Sequence, residues 1–179
     1  MNILNSLNED DGLETSTTNI TFIDENDNLL VGTTNGFSKI SFNNSLTEYD
    51  SKYGIGGYVW APIKRLDGKL YFGSTKDLYS LSASYDPMKN NKIDIIGFND
   101  MMGEYHKFDN SIIGVHNYGL SEYNGNNVTM ISNDYDIAMT SQSKLNKKLL
   151  LAAHNIDGLK IMRRNRNGEF RIIKTFQPN

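Results

Sequence analysis

The chain has no cysteine among its 179 residues. That excludes a disulfide framework, a thiolate nucleophile and a cysteine-based zinc site. Proline is sparse, at three residues, and tryptophan occurs once. No apolar run approaches the ~18 residues of a membrane-spanning helix. The opening Met1-Asn2-Ile3-Leu4-Asn5 carries neither a basic segment nor an apolar core, so no secretory leader is read there. These absences set the expectation of a cytoplasmic protein that does not engage a membrane. Positive charge is also lacking overall: the net charge is -3, which makes nucleic acid an unlikely partner.

Aromatics and polar turn residues are what the chain does have. Ten Tyr and eight Phe suit strands, and a hydrophobic fraction of 38% suits sheets that bury alternate residues. Four segments align on one another: Val31-Gly32-Thr33-Thr34-Asn35-Gly36-Phe37, Phe72-Gly73-Ser74-Thr75-Lys76-Asp77-Leu78, Gly114-Val115-His116-Asn117-Tyr118-Gly119-Leu120 and Ala152-Ala153-His154-Asn155-Ile156-Asp157-Gly158-Leu159. The position occupied by Thr33, Ser74, His116 and His154 recurs at intervals of 41, 42 and 38 residues. A tight turn precedes each segment, with Asp27-Asn28, Asp67-Gly68, Asp109-Asn110 and Asn146-Lys147 near its centre.

The period predicts four strands per unit: 19–24, 28–33, 37–42 and 46–49; 58–64, 69–74, 78–82 and 92–98; 103–108, 111–116, 120–123 and 127–131; 137–141, 148–154, 159–163 and 169–175. Four-stranded units repeating every 40–45 residues or so mark β-propeller blades. The expected fold is an all-β, four-bladed propeller, or a half-propeller arc of four four-stranded antiparallel blades. A sandwich or barrel of short strands is the alternative. The chain is read as a single repeat domain over 1–179, with blades at about 19–49, 57–98, 101–132 and 136–176 after a lead-in over 1–18.

The first unit, from Asp11-Gly12-Leu13 through Asp24-Glu25-Asn26-Asp27-Asn28-Leu29-Leu30-Val31-Gly32-Thr33 to Gly36-Phe37, resembles the two-component-regulator propeller repeat. It departs from that pattern in having Asn28 at a glycine position and Leu30 at a tryptophan position. The later units match through Asp67-Gly68-Lys69-Leu70-Tyr71-Phe72-Gly73-Ser74, Gly119-Leu120 and Asp157-Gly158-Leu159. The resemblance implies a propeller, and within that family such repeats serve as extracytoplasmic ligand-sensing modules. Propellers host many unrelated functions, so a shared fold does not assign one.

No catalytic or metal-binding set emerges from the spacing. Gly54-Ile55-Gly56-Gly57 lacks the Lys-Ser/Thr of a phosphate loop. His106 should pair across its hairpin with Ile113 rather than approach His116, and no Asp/Glu/His cluster has ligand spacing. Thr33, Ser74, His116 and His154 are expected to brace the turns they enter. No cofactor is expected.

Charge is uneven along the chain. Residues 1–50 sum to -8 and residues 144–179 to +7. Lys160, Arg163, Arg164, Arg166 and Arg171 form a candidate basic patch, read as a charge-guarded edge or a protein contact. The candidate partner face carries Tyr53, Tyr58, Trp60, Met101, Tyr118, Asp134 and Tyr135, residue types that suit interface hot spots. Trp60 could equally pack between blades. The expectation is a non-catalytic interaction or scaffold module that binds a protein partner or associates with itself, head to tail. The alternatives are a small-molecule or sugar sensor and a propeller lyase or hydrolase.

Overall fold

The computed structural model describes residues 8–11, 13, 17–41, 45–82, 84–85 and 93–177. Parts of the expected lead-in (1–7, 12 and 14–16), the end of the third strand at Phe42, residues 83 and 86–91, and the start of the expected 92–98 strand at Lys92 lie outside them.

Among the described residues, four antiparallel sheets of four strands each are formed, and each runs in sequence order. The first holds β1 (Thr18–Ile23), β2 (Leu29–Thr33), β3 (Phe37–Ser41) and β4 (Ser45–Tyr49). The second holds β5 (Val59–Leu66), β6 (Lys69–Ser74), β7 (Leu78–Ser82) and β8 (Asp94–Ile95). The third holds β9 (Met102–Phe108), β10 (Ser111–His116), β11 (Gly119–Tyr123) and β12 (Val128–Ser132). The fourth holds β13 (Ile137–Gln142), β14 (Leu149–His154), β15 (Gly158–Arg164) and β16 (Phe170–Phe176). These are the propeller blades that the repeat predicts. No helix among the described residues is long and apolar enough to cross a membrane.

Local chemistry explains the hairpins. Asp27, Asp67 and Asp109 adopt positive φ at the first turn of their blades, and Gly68 follows Asp67 at φ 77. Short polar side chains and glycine tolerate that region at low cost. Asp24 braces the first turn: its Oδ1 accepts the backbone N–H groups of Asn26 and Asn28 at 2.8 and 3.0 Å. Burial pushes the Asp24 carboxyl upward, but the hydrogen bonds from Asn28 and Asn26 outweigh it and hold the group below its ordinary range. Asp24→Ala is expected to cost about 1–2 kcal/mol, since two buried or half-buried N–H groups lose their acceptor. Urea unfolding followed by Trp60 fluorescence would measure it.

One strand is much shorter than its pattern. The expected 92–98 strand is reduced to Asp94–Ile95. Gly97 and Asn99 both take left-handed φ, which ends the ladder. Phe98 then turns inward, and its ring meets His116 edge-on at 5.9 Å.

The chain divides into two compact units, Met1–Ile95 and Ile96–Asn179, with two blades in each. In the first unit, β1 lies beside β5, and the two sheets enclose Leu30, Phe37, Val59, Ile63 and Phe72. The Phe37 and Phe72 rings meet at 4.8 Å, and Phe72 stacks on Tyr79 at 5.4 Å. In the second unit, β9 lies beside β13, and Phe108, Ile113, Leu120, Leu150 and Met162 form the core. His106 pairs with Ile113, as its hairpin predicts.

Candidate functional site

Thr33, Ser74, His116 and His154 all end the second strand of a blade and are buried. Three of them bond to the turn that follows. Thr33 Oγ1 accepts from the Asn35 N–H at 3.4 Å, and Ser74 Oγ accepts from Lys76 at 2.9 Å. His154 Nδ1 accepts from the N–H groups of Ile156 and Asp157 at 3.1 and 2.8 Å. With Nδ1 so committed, the proton of neutral His154 sits on Nε2, which donates to Asp134 Oδ1 at 3.0 Å.

His116 departs from the expected role. Its Nδ1 lies 3.0 Å from Asp100 Oδ2, and its Nε2 lies 2.9 Å from Ser121 Oγ. The turn is braced instead by Asp100, whose Oδ2 accepts the Tyr118 N–H at 3.0 Å. Nothing in the spacing singles out Asp100, because its partners lie 16 and 18 residues away across the sheet. The order Asp100, His116, Ser121 is that of a hydrolase relay. Ser121, however, is only 2% exposed within β11, which denies it the access a nucleophile needs.

Asp134 organises the neighbouring loop. Besides His154 it accepts Lys160 Nζ at 2.7 Å, and Asp157 shares the same ammonium at 3.0 Å. Burial raises the Asp134 carboxyl, but hydrogen bonds from Lys160, His154 and the Asp136 N–H outweigh it, so its pKa lies below the ordinary carboxylate range. Lys160 is the mirror case: burial lowers it, and the hydrogen bonds to Asp134 and Asp157 raise it above its ordinary value. The sequence shows no metal cluster, yet the fold brings single ligand atoms of Asp134, Asp136 and His154 within 4.8 Å of one another. This donor set does not fit a metal. The Lys160 ammonium already satisfies Asp134, and both nitrogens of neutral His154 are engaged.

These braces present a surface in the second unit. Tyr118 and Tyr135 are 68% and 74% exposed, and Ile156 is also exposed. Beside them opens a cavity of about 480 Å³, lined by Met101, Gly103, His116, Asn117, Tyr135 and Ile137 among others. The predicted face thus falls into two sets. Met101, Tyr118, Asp134 and Tyr135 belong to the second unit, where Asp134 turns inward to its ion pair. Tyr53, Tyr58 and Trp60 belong to the first. There Tyr53 packs on Tyr49 at 5.6 Å, whereas Tyr58 and Trp60 are exposed.

The candidate basic patch shrinks to Arg163, Arg166 and Arg171, which are exposed. Lys160 is buried in its ion pair. Arg164 is half-buried, bonds Glu122, and lies over the Phe108 and Phe170 rings at 5.0 and 4.8 Å. A run of charge in the sequence alternates between two faces of a strand, so only part of it can form one patch.

No protein-family model matches the chain. No curated protein matches it either. Solved structures do. One is the extracellular domain of the hybrid two component system BT3049 from B. thetaiotaomicron, at TM-score 0.65 and 22% identity over 93% of this chain. In fold, the chain is similar to the extracellular domains of two-component systems. The BT4673 extracellular domain from the same organism matches in two structures, at TM-scores of 0.62 and 0.61 with 11% and 13% identity over 93% and 91% of the chain. The first describes BT4673 as a one component system and the second as a hybrid two component system. The chain spans only 22–25% of the length of these structures. The expectation of a cytoplasmic setting is overturned by these three structures, each of an extracellular domain. Its basis was weak physically. A cysteine-free core of packed sheets is as compatible with an oxidising compartment as with a reducing one.

Proposed function

We propose that this protein is a non-catalytic, extracytoplasmic propeller module that recognises a protein partner through the loop surface of its second unit. One observation carries the reading: Tyr118 and Tyr135 stand exposed on turns whose backbone is held by carboxylates, Asp100 accepting the Tyr118 N–H and Asp134 the Asp136 N–H. Rigid aromatic side chains lose little entropy on contact and serve as interface anchors. Burial of Ser121 within its relay favours a structural rather than a catalytic role for that network. The extracellular setting of the solved neighbours supports the compartment.

A second reading has its own support. The cavity, at about 480 Å³, falls in the ~300–1,000 Å³ range of small-ligand sites. A small polar molecule or sugar could sit there against Tyr135 and Asn117.

Amide hydrogen exchange separates the two. The chain is mixed with the high-mass and low-mass fractions of extracellular extract from the producing cells. A protein partner protects residues 116–119, 133–136 and 155–158 only in the high-mass fraction. A small ligand protects them only in the low-mass fraction. Tyr118→Ala with Tyr135→Ala is expected to abolish that protection while changing stability by no more than ~0.5 kcal/mol, because both side chains are exposed. Protection of these loops by neither fraction would sink both readings.

A further inference from the structure

Two histidines stand at the same position of the repeat, and their surroundings give them opposite responses to a proton. His154 Nδ1 accepts the N–H groups of Ile156 and Asp157 at 3.1 and 2.8 Å. Ser74 Oγ braces its own turn in the same way, accepting from Lys76 and Asp77 at 2.9 and 3.3 Å. A serine hydroxyl keeps its acceptor lone pairs at every ordinary pH. Imidazole instead takes up a proton between about pH 8 and pH 5. His154 Nε2 already donates its proton to Asp134 Oδ1 at 3.0 Å, so a second proton must enter at Nδ1. There it occupies the lone pair that two backbone donors share, and N–H is left facing N–H. His116 meets no such conflict. Its Nδ1 faces Asp100 Oδ2 and its Nε2 faces Ser121 Oγ, and both oxygens accept. Ser121 Oγ directs its own proton toward Met130 Sδ at 3.5 Å, which leaves its lone pairs to His116.

We propose that His154 is a proton-sensitive latch: uptake of a proton at Nδ1 releases the turn over 155–158 and frees Ile156, while the turn after His116 stays shut. The charges around the ring draw that proton in. Asp134, on the β12–β13 loop, lies 3.0 Å from Nε2, and Asp157, within the turn itself, lies 3.7 Å away. Asp136 brings a third carboxylate oxygen within 4.8 Å of the imidazole. One cation opposes them: Lys160 on β15, whose Nζ binds Asp134 at 2.7 Å and Asp157 at 3.0 Å. A surround with more carboxylates than ammonium groups favours a charged imidazole. None of these carboxylates is placed to accept from Nδ1, which points at the turn. Electrostatics and turn geometry therefore pull in opposite directions, and the turn is the part that gives way. Ile156 is 67% exposed at its tip, and Asn155 N–H is bonded to the Asp136 carbonyl at 2.9 Å, beside Tyr135. Opening the turn reshapes this end of the loop surface. The latch is a property of the chain alone and does not require that these loops bind a partner.

Nitrogen-15 NMR of the whole chain, titrated from about pH 8 to about pH 5, tests the latch. Ring-nitrogen shifts report protonation of His154, and amide exchange, corrected for its intrinsic pH dependence, reports the turn. Protonation is expected to lower the protection of the Ile156 and Asp157 amides by about tenfold, the worth of a lost hydrogen bond. The Asn35, Lys76 and Tyr118 amides, held by Thr33, Ser74 and Asp100, should keep theirs. His154→Asn offers Oδ1 as an acceptor and takes up no proton, so its 156 and 157 amides should be equally protected at both ends of the range. A ring that stays neutral at about pH 5 overturns the proposal. So does a protonated ring with both amides still protected, an equal loss at Lys76 and Tyr118, or the same loss in His154→Asn. The wild-type amides decide the question alone if that variant does not fold.

Discussion

Gly119→Ala is expected to destabilise the second unit by about 3–5 kcal/mol, whereas Gly168→Ala in the same unit costs about 1 kcal/mol. Both residues have positive φ, at 125° and 88°. They differ in what a Cβ would meet. At Gly119 it would lie 2.2 Å from the Ser132 carbonyl oxygen and 3.0 Å from the backbone of Asn133 and Asp134, atoms that cannot rotate away. At Gly168 nothing lies within 4 Å. The larger cost follows from strain plus displacement of β12 and of the loop that presents Asp134 and Tyr135. Gly36 repeats the geometry in the first blade, where the Cβ would lie 2.0 Å from the Tyr49 carbonyl oxygen. Urea unfolding followed by circular dichroism reads both Gly119→Ala and Gly168→Ala. Equal costs would mean that the close approach to Ser132 is not a constraint.

Lys160→Met should cost about 2–3 kcal/mol near neutral pH, less than the ~3–5 kcal/mol of breaking a fully buried ion pair. The discount reflects Asp134, whose side chain is 25% exposed. Methionine keeps most of the buried stem, so what is lost is the ammonium between Asp134 and Asp157. The sign of the pH dependence follows from the two shifts. The Asp134 pKa is depressed, so its contribution is present above its ordinary 3.8 and is lost as pH falls through the lower folded value. The Lys160 pKa is raised, so its contribution is full below its ordinary 10.5 and is lost as pH rises through the higher folded value. The stability gap between wild type and Lys160→Met should therefore be flat between these limits and close outside them. Urea midpoints measured from strongly acidic to strongly alkaline pH test this. A gap that persists in strong acid would assign the loss to packing rather than charge.

The glycine positions show how much the repeat makes legible. Gly36, Gly119 and Gly158 recur before an apolar residue because the turn there needs positive φ, and Asp77 is the one departure. The hairpin centres were readable for the same reason, since left-handed φ restricts residue choice. Strand β8 was not. Its pattern extended to Phe98, but the left-handed backbone at Gly97 and Asn99 ends the ladder early, and Phe98 packs against His116 instead. The candidate face was half legible. Exposed Tyr118 and Tyr135 follow from turn position, but the inward commitment of Asp134 and Lys160 does not, because 26 residues separate them.

By itself the sequence determined the blades: their number, their strand order and the turn chemistry between strands. These are local properties, governed by backbone φ and by alternation along a strand. Only the tertiary structure decided which polar residues face inward. The Asp100–His116–Ser121 chain, the Asp134–Lys160 pair and the stacking of Arg164 between Phe108 and Phe170 all join residues from different strands or loops. Such partners are selected by packing distance. A basic run in sequence therefore became one buried ion pair, one aromatic-stacked guanidinium and a remaining exposed edge.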